Sequence, residues 1–177
     1  GELKNRYGVD ATRHGTYPNL VHLRYNQISS PMDMAIVQEC RGLILDSDDD
    51  WMVVAWPFRK FFNYGEPLAA HIDWATARVQ EKLDGSITVL YHFDDKWHVS
   101  TSGMPDAAGM VQGTNRTFAQ LFWETWHHKS FLEPSSLNRN DTFMFELTSP
   151  LNRIVVQQTK ANLHLIGMRS RCSCIEM

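Results

Sequence analysis

The sequence predicts an α+β fold with mostly antiparallel sheets and few helices. Three observations carry that expectation. Short segments rich in β-branched and aromatic residues recur at close intervals, short polar breaks separate several of them, and one helical apolar stripe stands between two groups of such segments.

Taken in order, RGLILD (41–46) and WMVVAW (51–56) read as strands joined across Ser47 to Asp50, a break short enough for a hairpin. ARVQEK (77–82), SITVLYHF (86–93) and KWHVSTS (96–102) continue the series, the last two meeting at Asp94-Asp95. A helix is expected from Thr114 or Asn115 to His128, because Phe118, Leu121, Phe122 and Trp126 recur at three- and four-residue spacing. That stripe reads as core, and His127-His128 as a surface pair near the negative end of the helix dipole. TFMFELT (142–148), RIVV (153–156) and LHLIGMR (163–169) are the remaining strands, the first two parted by the turn-like Ser149-Pro150-Leu151-Asn152. SGMPDAAGMVQG (102–113) and EPSSLNRND (133–141) read as exposed loops.

A chain of 177 residues, 43% hydrophobic and 21% charged, is long enough for a real core, and residues 1–177 are expected to form one domain. The net charge of −3 provides no global basic field, so a nucleic-acid partner would need a local patch. Arg41, Arg59, Lys60, Lys82 and Arg153 are the candidates for it. No apolar run approaches the roughly 18 residues of a membrane span and the N-terminus has no signal-peptide pattern, so a cytoplasmic protein without a membrane partner is expected. Cys40, Cys172 and Cys174 are an odd set that reads as reduced thiols. Cys172 and Cys174 with His164 would make only part of a zinc site, so no metal site is expected. The glycines of dinucleotide-binding and P-loop motifs are missing.

The chemistry concentrates at EKLDGS, residues 81–86. A lysine attacks only when unprotonated, and an isolated one has a pKa of about 10.4, so neighbouring cations or burial must favour the neutral amine. Gly85 would let backbone approach a bound group, and Asp84 and Ser86 could orient that group or a metal ion. Alone, Lys82 would be a solvated charge.

Its surroundings add weight. ECRG (39–42), RKFFN (59–63), KxDGS (82–86), FEL (145–147) and NRIV (152–155) follow one another. In that order they resemble the nucleotidyltransferase domain of ATP-dependent RNA ligases of the phage tRNA-repair type, over about residues 39–156. The resemblance implies the ATP-grasp-like fold of DNA and RNA ligases. It also implies ATP and magnesium as cofactors, RNA 5′-phosphate and 3′-hydroxyl ends as partners, and Lys82 as the nucleophile that carries AMP. Arg41 and Lys60 would lie beside the triphosphate, Glu81 would accept a hydrogen bond from the adenine amino group, and Glu146 would contact the ribose. Phe62 would pack at the nucleotide or in the core, and Asp84 and Gly85 belong to the same nucleotide site; Arg153 reads as structural.

The match also departs from the family. After Glu146 the family continues with E-G-x-V and K-x-K strands, and neither is found here. At VSTSG (99–103), where these ligases often carry a basic residue, Thr101 and Ser102 stand instead. Weak ATP binding and slow or no adenylation by this chain are therefore expected. DNA ligases and mRNA capping enzymes share the lysine chemistry, and a non-catalytic nucleotide- or RNA-binding module is the reading from another class.

Overall fold

The computed structural model of the chain describes residues 1–129, 131, 133–151 and 155–171. They form two four-stranded antiparallel sheets packed against each other, with one longer helix on the outside. The first sheet contains β1 (Val9–Arg13), β2 (Leu20–Tyr25), β3 (Arg41–Asp46) and β4 (Met52–Ala55) in that spatial order. Short helices α1 (Glu2–Tyr7) and α2 (Ala35–Glu39) flank it. The second contains β5 (Ser86–Phe93), β6 (Lys96–Thr101), β7 (Asp141–Thr148) and β8 (Asn162–Ser170), ordered β6-β5-β7-β8.

Period-two alternation sorts the side chains into layers. On the outer face of the second sheet, Leu90, Val99, Phe143, Phe145, Leu147 and Leu163 meet Leu121, Phe122 and Trp126 of α3 (Phe118–His128). On the inner face, Tyr91 of β5 joins Leu20, Ile44, Val54 and Ala55 of the first sheet. Val89 and Met144 pack there with Phe58, from the segment after β4. Phe58 also explains Gly167 in β8, because a Cβ at that glycine would lie 2.2 Å from the Phe58 ring. A buried ion pair ties the seam: Arg169 of β8 donates to Glu39 at 2.8 Å and to the Pro57 carbonyl at 2.9 Å, with its guanidinium 3.8 Å from the Trp56 ring centroid.

The expected strands at 41–46, 51–56, 86–93, 96–102, 142–148 and 163–169 all form, within a residue or two at their ends. Both hairpins are antiparallel. Elsewhere the structure corrects the expectation. ARVQEK is not a strand: residues 77–82 are irregular and exposed, and Val79 is 95% exposed. Its alternation lacks a partner strand to supply ladder hydrogen bonds and a core to receive its apolar side chains. Val155 and Val156 of RIVV form a bend, while Asn152, Arg153 and Ile154 lie outside the described residues, as do Cys172 and Cys174.

The helix starts at Phe118 because Thr117 caps it. The Thr117 hydroxyl accepts from the Gln120 N–H and the Gln120 side chain accepts from the Thr117 N–H. The loop at 102–113 is partly internal, with Ala107 and Val111 fully buried beneath α3. Residues 133–141 contain a 3₁₀ turn at Pro134–Ser136 and end on Asp141, which is buried at the start of β7. The elements before Arg41 were not expected. β1 and β2 complete the first sheet, and β2 alternates too weakly in hydropathy to stand out, since Leu20, Val21, His22 and Leu23 are all buried.

Candidate functional site

The inner-face side chains of several strands leave the core at the same end of the molecule. Along β2 they run from buried Leu20 through buried His22 to exposed Arg24. Along β5 they run from Tyr91 through Val89 to Ile87, which pairs with Glu146 of β7. The sheets part here, leaving a cleft floored by Arg41, Phe58, Ile87, Val89 and Ser102.

His22 braces the cleft from below. Its Nε2–H donates to the Thr101 carbonyl at 3.2 Å, joining β2 to the end of β6. Burial lowers its pKa to about 4, the Thr101 carbonyl opposing this and the Arg24 charge adding to it. Imidazole here is neutral.

Two hollows open from the floor. The larger, about 530 Å³, is lined by Arg24, Arg41, Lys60, Phe61 and Ser102, among others. The second, about 350 Å³, is lined by Gly85, Ser86, Ile87, Thr101, Ser102 and Phe118. Ser102 lines both, so they adjoin. Hollows of this size hold small ligands.

The EKLDGS segment arrives at the second hollow as an irregular lead into β5. Lys82 stands four residues before the strand and is exposed, as is Glu81 beside it. Asp84 anchors the lead: its Oδ2 accepts from the Val156 N–H at 2.6 Å and the Val155 N–H at 2.7 Å. These hydrogen bonds hold its carboxyl below the usual range, helped by the Lys82 charge. Gly85 passes so close to β7 that a Cβ would fall 2.4 Å from the Leu147 carbonyl oxygen. Only glycine permits that approach.

Glu146 is where these groups converge. Burial raises its carboxyl above the ordinary range; a hydrogen bond from the Gly85 N–H and the charges of Lys82 and Arg41 oppose this, and Asp84 reinforces it. Lys82, Asp84, Gly85, Arg41 and Glu146, drawn from three separate stretches of sequence, thus share one field.

Arg41 and Lys60 meet at the larger hollow, the Arg41 guanidinium lying 5.2 Å from the Phe61 ring centroid and the Lys60 ammonium 5.4 Å from that of Phe62. Phe61, which sequence reasoning passed over, lines the hollow, whereas half-buried Phe62 reaches it only through Lys60. Arg24 was missed too, because β2 shows no clear alternation that would mark it as a strand with an inward face. Glu81 makes no ion pair among the described residues. Glu39, two residues from Arg41, is spent on the seam. Cys40 is buried, its thiol pushed up to about 11 by burial and by the Glu39 charge. No group of three or more His, Cys, Asp or Glu side chains among the described residues is arranged to hold a metal ion. No helix among them is long and apolar enough to cross a membrane.

Fold and site together define a two-sheet α+β protein with a cation-lined cleft fed by a lysine-bearing segment. The chain belongs to the RNA ligase family, whose model matches residues 39–177. It is 35% identical over 164 residues to an RNA ligase of Rhodothermus phage RM378, covering 74% of this chain and 37% of that protein. It is also 35% identical over 156 residues to a protein of Autographa californica nuclear polyhedrosis virus assigned as a bifunctional polynucleotide kinase/RNA ligase, covering 79% of this chain and 22% of that protein. The chain thus spans well under half the length of these relatives.

Proposed function

We propose that the cleft binds ATP and that Lys82 is the nucleophile of an ATP-dependent RNA ligase, with residues 1–177 belonging to its nucleotidyltransferase domain. The observation that carries this reading is that Arg41 and Lys60 line a hollow adjoining the one at Gly85 and Ser86, with the charges of Lys82 and Arg41 both acting on Glu146, in a chain of the RNA ligase family.

In this reading the neutral Lys82 amine attacks the α-phosphorus of ATP. A P–N bond forms, the bond to the β-phosphate oxygen breaks, pyrophosphate leaves and the amine loses a proton to solvent. An RNA 5′-phosphate oxygen then takes the AMP, breaking the P–N bond. Attack of a 3′-hydroxyl on the activated 5′-phosphorus forms the phosphodiester and releases AMP. Arg41 and Lys60 stabilise charge on the departing phosphates. Glu146 orients the ribose, and Glu81 favours adenine, whose amino group donates, over guanine, whose carbonyl oxygen would face a carboxylate. Magnesium, when bound, neutralises polyphosphate charge; with no protein cage among the described residues, the phosphates themselves would supply most of its ligands. Asp84 serves the site indirectly, by fixing the Lys82 lead through Val155 and Val156.

The test is to incubate the protein with magnesium and ATP labelled at the α-phosphate, denature it and look for bound label. Any acid-labile label is expected to disappear in Lys82→Ala, with faster charging in a longer chain that carries E-G-x-V and K-x-K strands. Label that persists in Lys82→Ala would overturn the assignment. Failure of the longer chain to take label would favour a non-catalytic nucleotide- or RNA-binding module. Nick sealing on duplex DNA and charging by GTP separate the DNA ligase and capping alternatives.

A further inference from the structure

None of the ligase motifs involves Arg24, yet its setting is hard to account for by folding. Arg24 and Arg41 are direct partners across β2 and β3. Like charges opposite each other in a sheet repel. Neither has a carboxylate oxygen within 4.0 Å among the described residues, unlike Arg169, which Glu39 holds at 2.8 Å. Asp10 faces Arg24 across β1 and β2 and lines the same hollow, but it is bound by Lys4 at 2.8 Å. With Lys60, the two arginines place three cations around one hollow of about 530 Å³. Such a triad gains from an anion and from little else.

Arg24 also reaches across the cleft. Its Nη1 lies 3.6 Å from where a Cβ on Gly103 would sit, so the guanidinium from the first sheet is beside the turn Thr101-Ser102-Gly103 of the second. We propose that Arg24, reaching across from the first sheet, completes with Arg41 and Lys60 a site for the polyphosphate tail of the bound nucleotide. This rests on the nucleotide reading of the cleft. The adjoining hollow at Gly85 and Ser86 takes the nucleoside side, and Ser102 marks where the two parts meet. A polyphosphate fits three cations better than the single terminal phosphate of an RNA end does.

The experiment is calorimetric titration of inorganic tripolyphosphate, AMP and a 5′-phosphorylated oligoribonucleotide into the wild type, Arg24→Ala and Arg24→Lys. Arg24 is exposed, so the variants should keep the wild-type melting temperature. Arg24→Ala is expected to bind tripolyphosphate about tenfold more weakly, matching the loss of a charge-assisted hydrogen bond, with AMP unchanged and Arg24→Lys in between. Unchanged tripolyphosphate affinity in Arg24→Ala, an equal loss for AMP, or an effect confined to the oligoribonucleotide would overturn the proposal. The two readings fail separately. Wild type that binds AMP but not tripolyphosphate sinks the role of Arg24 and leaves the nucleotide cleft standing. Wild type that binds tripolyphosphate through Arg24 but not AMP supports the anion site and sinks the nucleotide reading.

Discussion

Glu39 and Arg41 stand two residues apart in the ECRG segment and face opposite environments. Glu39 turns into the seam, where it accepts from Arg169 at 2.8 Å and from the Trp56 indole N–H at 2.8 Å. Arg41 turns into the cleft, where its described protein contacts are the Phe61 ring and a 3.4 Å hydrogen bond to the Arg59 carbonyl. Arg169 and Arg41 are therefore the same side chain in two roles. One is paired within the fold, while the other is held open on an aromatic face. The difference suggests that a charge with all its partners inside the protein serves stability, whereas a charge set against a like charge is placed for something that arrives later.

The largest expected effect sharpens that contrast at the seam. Glu39→Ala would leave the Arg169 guanidinium buried without its carboxylate, and the loss of stability should be about 3 kcal/mol. Chemical denaturation measures it directly. A loss below about 1 kcal/mol would show that the pair is solvated and that seam and cleft do not differ as described.

The next effect comes from His22, between the two regions. Burial depresses its folded pKa to about 4, below the ordinary value near 6.5, so the unfolded chain binds the proton more tightly. Its contribution to stability is present in full above pH 6.5 and is lost as pH falls towards 4. On that basis about 2 kcal/mol should disappear between pH 7.5 and pH 5. His22→Gln should flatten that part of the pH profile in urea titrations at the two pH values. An unchanged profile would mean that other histidines, such as buried His14 and half-buried His98, whose pKa values burial also lowers, carry the dependence.

Arg41→Ala should change stability least, by no more than about 0.5 kcal/mol, while weakening nucleotide charging severely. A slight gain in stability would fit relief of the repulsion with Arg24. A large loss would place Arg41 with Arg169 among the structural arginines.

Much of this was legible in the linear sequence. Strands such as SITVLYHF and TFMFELT announced themselves because half-buried strands need β-branched and aromatic residues, and the α3 stripe because a helix repeats every 3.6 residues. The resemblance in motif order also pointed to Lys82, Arg41, Lys60 and Glu146 as the groups of the proposed nucleotide site, while residue chemistry alone reached only a nucleophilic lysine. ARVQEK misled because alternation describes one strand and says nothing of a partner; an unpaired run remains irregular however well it alternates.

Only the tertiary structure decided the rest. That Arg24 faces Arg41, that Asp84 holds the amides of Val155 and Val156, and that Gly85 grazes the Leu147 carbonyl all depend on strand register and on the way the sheets part. Sequence fixes which side of its own strand a residue takes, because that is a local matter of backbone geometry. Which residue it then meets is set by contacts between distant segments, and those exist only once the two sheets have packed.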